Sequence, residues 1–218
     1  MEPWFDGIEL VGRFNWLQTG VWLLSHNGEA AVLEFPPSNL ADGGFGPDPV
    51  DRAAEAAQEH GLNVKFLLCT HTHGDHFSRD VFQRMRERFP AAVPVLQGGF
   101  WLYTDHDTGV QYFDVTTTLH LGGEPLHLIH VPKHSMTDTM VVFRGTACTG
   151  DWELGTIRTV NEDVPVETRL RSCDRMIDFV RRTGYRIHSV FSVHANDRRE
   201  GIDFAALMAS TREDRKLW

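Results

Sequence analysis

The stretch "CTHTHGDHFS", Cys69 to Ser78, places His71, His73, Asp75 and His76 within six positions, directly after the apolar run "VKFLL" at 64–68. Imidazole and carboxylate lone pairs suit a borderline-soft divalent cation. In water four such groups solvate separately, so a chain that crowds them has a cation to offset the cost. A polar turn with solvated side chains would account for one histidine at a strand end, but not for the whole hexad.

The flanking segments give the hexad its setting. Upstream, Asp48 suits an N-cap, Pro49 the first helical position and Gly61 the end of a helix over "VDRAAEAAQEH". "NVKFLLC" then reads as a buried strand, with the hexad at its carboxyl end, where ligands gather in open α/β sheets. Before the helix, "GIELVGRF", "GVWLLS" and "AAVLEF" read as short strands, followed by the Pro- and Gly-rich loop "PPSNLADGGFGPDP". After the hexad, "SRDVFQRMRERF" reads as a helix capped by Ser78 and "PVLQ" as a brief strand. "DVTTTLHL", "PLHLIHV", "TMVVF" and "TACTG" read as successive strands, "VPVETRLRSCDRMIDFVRRTG" as a helix ended by Gly184, "IHSVFSV" as a strand and "DFAALMASTREDRKL" as a closing helix.

Three of these strands repeat the opening pattern, each ending in a metal-capable residue: "HLIHVPKHS" with His134, "GTACTGDW" with Asp151 and "VFSVHAND" with His194. Together with the hexad they supply enough ligands for two metal ions that share a carboxylate and keep a position open. His127 and His130 lie three apart on one strand, face opposite sides and cannot both reach one metal. His26, His60, His120 and His188 read as structural or exposed.

Composition sets the outer limits. A chain of 218 residues fits one domain, 1–218, with a core that needs no staples. Hydrophobic residues at 41% and charged residues at 23% suit a soluble globular protein. The net charge of −9 argues against a general nucleic-acid surface. The arginines of "RLRSCDRMIDFVRR" alternate with Leu170, Cys173, Ile177 and Val180, and read as a solvated helix face. Cys69, Cys148 and Cys173 cannot all pair and read as buried thiols. "MEPWFDGIEL" has no charged-then-apolar leader and no apolar run spans a membrane, so the expectation is a cytoplasmic protein without a membrane partner.

The hexad "HTHGDH", a further His after a strand, the Asp of "TGD" and a final His after the last strand together resemble the metallo-β-lactamase superfamily. The resemblance runs over nearly the whole chain. It implies an α/β fold, a four-layer αββα sandwich, with metals in a cleft between the edges of two sheets. Carried over by position, His71, His73 and His134 would hold one metal and Asp75, His76 and His194 the other, with Asp151 as the bridge. The cofactors implied are two divalent ions, zinc first, with iron or manganese as alternatives. Many hydrolases of the superfamily have "GHTPG" around the third His, whereas this chain has "PKHSMTD". The secreted β-lactamases generally have Cys in place of Asp151, and glyoxalase II enzymes add a helical region for glutathione that has no counterpart after His194.

The resemblance implies a hydrolase in which hydroxide formed at the metals attacks an activated acyl substrate such as a thioester, lactone or ester. Asp75 would be the catalytic residue that orients it. A serine nucleophile is not needed, and no G-x-S-x-G elbow is present. The alternative uses His71, His134 and Asp151 to hold a single iron for oxygen chemistry, as in the superfamily's persulfide dioxygenases. The partner expected is a small acyl molecule. Trp101, Tyr103, His106 and Trp152, together with Phe45 and Phe100, are candidates for contacting it, from loops at 36–49, 97–113 and 152–165. The glycine-flanked stretch "FWLYTDHDTG" reads as a cover.

Overall fold

The structure, a computed structural model, describes residues 1–38, 47–151 and 164–213. The first sheet lays its strands side by side in chain order: β1 (Glu2–Phe5), β2 (Ile8–Phe14), β3 (Thr19–His26), β4 (Glu29–Leu33), β5 (Asn63–Leu68), β6 (Val93–Gln97) and β7 (Gln111–Phe113). β1 to β4 are antiparallel neighbours, which need only tight turns. The β3–β4 turn is Asn27-Gly28, both at positive φ, the left-handed pair that matches the twist of two hairpin strands.

From β4 onward the pairs are parallel, and parallel pairs need crossovers. Helix α1 (Pro49–Glu59) links β4 to β5, and α2 (Arg79–Arg88) links β5 to β6. Both starts are capped as the sequence implies. Asp48 accepts from Val50 N at 2.8 Å and Asp51 N at 3.3 Å, and Ser78 Oγ accepts from Val81 N at 3.4 Å.

The second sheet has the order β13-β12-β11-β10-β9-β8. Its strands are β8 (Thr116–Leu121), β9 (Glu124–His130), β10 (Thr139–Phe143), β11 (Thr146–Cys148), β12 (Ser189–Phe191) and β13 (Arg198–Glu200). Helix α3 (Val166–Thr183) makes the crossover to the parallel pair β11–β12 and ends at Gly184, whose φ of 66° suits glycine. Helix α4 (Phe204–Glu213) packs beside α3.

Three apolar cores separate four layers. Val21, Leu23 and Val32 pack with Ala53, Phe82 and Met85 of α1 and α2. Trp22, Leu24 and Leu33 face Leu128, Val141 and Phe191 between the sheets. Ile129, Met140 and Val142 meet Cys173, Met176 and Met208 of α3 and α4. β3 thus sends alternate side chains to two buried faces, which is why it reads as an unbroken apolar run. The architecture is the αββα sandwich.

Several elements differ from the sequence reading. Strands β1, β7 and β13 are made by pairing and were not anticipated, and the strand at 187–193 contracts to Ser189–Phe191. On α3, Arg171, Arg181 and Arg182 are exposed, but Arg169 is buried and its Nε donates to Val164 O at 2.8 Å. The buried stripe of α3 is set by Ser172, Cys173, Met176 and Ile177, with Leu170 only half-buried. The three cysteines are buried thiols. Among the described residues no helix is long and apolar enough to cross a membrane. Phe45, Trp152 and the last part of the closing helix lie outside the described residues.

Candidate metal centre

Each candidate ligand follows the carboxyl end of a strand. His71, His73, Asp75 and His76 follow β5 of the first sheet; His134, Asp151 and His194 follow β9, β11 and β12 of the second. Backbone bonds draw these ends together. Val193 O accepts from Gly20 N at 3.1 Å and Trp22 Nε1 at 3.0 Å, so β3 of one sheet holds the segment carrying His194 of the other. Gly20 allows this approach, because a Cβ there would lie 2.6 Å from Val193 O. Thr139 N donates to Thr70 O at 2.8 Å, and Thr72 N donates to Thr137 Oγ1 at 3.1 Å.

The seven side chains form two groups that share Asp151: His71, His73, His134 and Asp151, and Asp75, His76, Asp151 and His194, with candidate ligand atoms in each group within 4.8 Å of one another. Asp151 divides its oxygens between them. Oδ2 lies 3.7 Å from His71 Nε2 and 3.4 Å from His134 Nε2. Oδ1 lies 3.1 Å from both His76 Nε2 and His194 Nε2. His73 Nδ1 is 2.9 Å from His134 Nε2, and Asp75 Oδ2 is 3.0 Å from His76 Nε2 and 3.8 Å from His194 Nε2.

Surrounding groups fix which nitrogen His71 and His76 present. Thr70 Oγ1 meets His71 Nδ1 at 3.0 Å, leaving Nε2 for the centre. Glu34, fully buried at the end of β4, meets His76 Nδ1 with Oε2 at 3.0 Å and accepts from Thr70 N with Oε1 at 2.7 Å. Its backbone is left-handed, φ 81°, a conformation uncommon for a residue with a Cβ and retained where the surroundings over-determine it. Asn15 Nδ2 donates to Asp75 O at 2.9 Å. Asp138 Oδ2 accepts from the backbone N–H groups of Lys133, His134 and Ser135.

The electrostatics follow from burial and crowding. Burial pushes His71 well below the usual imidazole value, with neighbouring His76 adding to the fall. Burial also opposes charge on His76, yet the Asp151, Asp75 and Glu34 carboxylates outweigh it and raise that ring well above its usual value. Burial works against ionisation of Asp151 as well, but His76 and His194 hold it far below the carboxylate range. Desolvation pushes Asp138 up to about 6, while its N–H partners and His134 pull the other way.

Among the described residues, His71 Nε2, His76 Nε2 and Asp151 Oδ1 are buried without a hydrogen bond of acceptable direction, although they point into one small volume. Buried polar atoms are rarely left so. A pair of cations would engage all of them, and imidazole with carboxylate fits zinc, iron or manganese. The residues present therefore fit two divalent ions.

A cavity of about 320 Å³ opens over His73, Asp75, His134, Asp151 and His194, with Leu17, Ser192 and Asn196 completing its wall. A larger one, about 450 Å³, lies between Tyr185, Ile187 and Phe204 and holds none of the candidate ligands. Trp101, Tyr103 and His106 are not among the described residues lining the first cavity. Trp101 stacks on His106, rings 4.8 Å apart and 10° from parallel, and meets Tyr112 edge-on at 5.1 Å. His127 Nδ1 pairs with Thr118 Oγ1 at 2.9 Å beneath α3, and His130 Nε2 with Met136 O at 2.8 Å, both apart from the two groups. Sequence reasoning missed Glu34, Asp138, Asn15 and the cavity residues Leu17, Ser192 and Asn196. For Glu34 a signal existed, since "AAVLEF" is another apolar strand ending in a carboxylate.

A four-layer αββα sandwich with a metal-capable cluster at the rim between its sheets is the metallo-β-lactamase fold. Solved structures bear this out. The chain superposes on a metallo-beta-lactamase family protein from Thermus thermophilus with a TM-score of 0.63 at 18% identity, covering 97% of this chain and 80% of that one. For ETHE1 from Myxococcus xanthus the values are 0.57 and 18%, over 90% and 85%. For the BLEG-1 B3 metallo-beta-lactamase they are 0.61 and 14%, over 96% and 99%. No family model and no curated protein matches the sequence.

Proposed function

We propose that the protein is a dinuclear metal-dependent hydrolase acting on an activated acyl compound, a thioester, lactone or related ester. The observation that carries this reading is Asp151, with one oxygen toward His71 and His134 and the other toward His76 and His194. A mononuclear site would leave the second group without a purpose. His71, His73, His134 and Asp151 would hold one ion and Asp75, His76, His194 and Asp151 the other, zinc being the ion this donor set suits first. When bound, such a pair supplies Lewis-acid polarisation of a carbonyl and acidifies water.

The chain's own residues supply the rest. Asp75 orients the attacking water, its carboxylate set by Thr19 Oγ1 at 3.5 Å and its backbone by Asn15. Leu17 offers an apolar contact for the acyl chain, and Ser192 and Asn196, in the same lining, offer hydrogen-bonding groups. A cavity of about 320 Å³ suits a small molecule. Trp101, Tyr103 and His106 have no part in this reading: none of them lines that cavity, Trp101 stacks on His106, and Tyr103 is exposed.

Elemental analysis of protein purified without added metal, paired with hydrolysis of a panel of thioesters, lactones and aryl esters, tests the proposal. About two equivalents of zinc and chelator-sensitive acyl hydrolysis are expected. A single equivalent of iron with oxygen consumption would instead favour a one-metal oxygenase built on His71, His134 and Asp151.

A further inference from the structure

His134 is held by an irregular segment. It lies in the loop between β9 and β10, where "PKHSMTD" has no glycine and carries its one proline, Pro132, ahead of the histidine. The N–H groups around the histidine gather on one carboxylate oxygen. Asp138 Oδ2 accepts from three successive N–H groups, Lys133 N at 2.8 Å, His134 N at 2.6 Å and Ser135 N at 2.8 Å. The donors converge as in an anion-binding nest, with the anion supplied by the chain itself. Asp138 is in turn fixed by its own backbone, N to Ser135 O at 3.2 Å and O from Val131 N at 2.8 Å. Thr137 Oγ1 ties the same loop to Thr72, between His71 and His73, and to Ser135 Oγ at 3.0 Å. None of these bonds reaches Asp75, His76 or His194.

We propose that Asp138 is a positioning residue for one ion alone: by gathering the N–H groups around His134 it sets that ring against His71 and His73, and leaves the Asp75–His76–His194 group independent. This rests on the two-ion reading above. A carboxylate suits the task because a charged acceptor binds several N–H groups about twice as strongly as a neutral one. Loss of an outer partner of a metal ligand typically weakens the ion about 10–100-fold.

The test is titration of cobalt(II) into metal-free full-length protein, followed by visible absorption, with His134→Ala and His194→Ala as references that each delete a ligand of one group. Asp138→Ala should weaken by about 10–100-fold the band that His134→Ala abolishes, and leave intact the band that His194→Ala abolishes. Asp138→Asn, which keeps an oxygen of the same reach without the charge, should recover part of the affinity. It decides the matter should the alanine variant fail to fold. Wild-type binding at the first band in the aspartate variants, or equal weakening of both bands, would overturn the positioning role. If the two reference variants do not remove separate bands, the two-ion reading itself fails.

Discussion

Asp75 and Asp151 are both carboxylates beside the same buried imidazole, yet they are placed differently. Asp151 has an oxygen for each ligand group, so its replacement should unsettle both ions. Asp75 borders only one group and, like Asp151, lines the cavity; under the proposed hydrolysis it would meet the attacking water. Asp75→Asn keeps the shape and removes the charge. Its kcat is expected to fall by about 10²–10³, as when one preorganised electrostatic contact is lost, about 2.7–4 kcal/mol. Melting should be little changed. A near-wild-type rate with both metals retained would exclude Asp75 from the reaction.

Among elements, the strand ends carry the candidate ligands, and their turns are tightly specified. Gly150 of "TGD" has φ 63°, and a Cβ there would meet Thr70 Cβ at 3.3 Å, beside the hydroxyl that holds His71. Gly150→Ala should cost about 1–2 kcal/mol for the left-handed backbone alone and shift the aspartate that follows. Urea unfolding and metal content would both register it, and an unchanged midpoint with full metal occupancy would refute the idea. This scale also shows what was legible in the sequence. Strand β3 and helix α1 declare themselves through apolar runs and caps, and the ligands through crowding at strand ends. Strands β1, β7 and β13 are too short for any periodicity, because partners across the sheet define them. Arg169 looked solvent-facing because helical spacing alone cannot reveal a buried carbonyl such as Val164 O. Asp138 was hidden for a related reason: an isolated acid in a loop has no pattern until the loop closes on it.

At the scale of the whole molecule, the candidate ligands come from both sheets, so ions at the centre would clip one half of the sandwich to the other. Binding at 100 times Kd adds about 2.7 kcal/mol per ion. For a chain of this size that is about 5–11 °C in Tm. Chelation followed by calorimetry should show a fall of this order, restored by zinc. An identical Tm with and without metal would mean that the rim is fully held by bonds such as those to Val193 O. That carbonyl, gripped by Gly20 and Trp22, has a kinetic meaning as well. The hexad can gather as soon as β5 forms, but His194 reaches it only when two chain-distant sheets have docked, a late event for contacts so far apart in sequence. The ions should therefore act as a latch that closes after the folding barrier is crossed. In stopped-flow experiments, added zinc should slow unfolding while the refolding rate stays where the metal-free chain sets it.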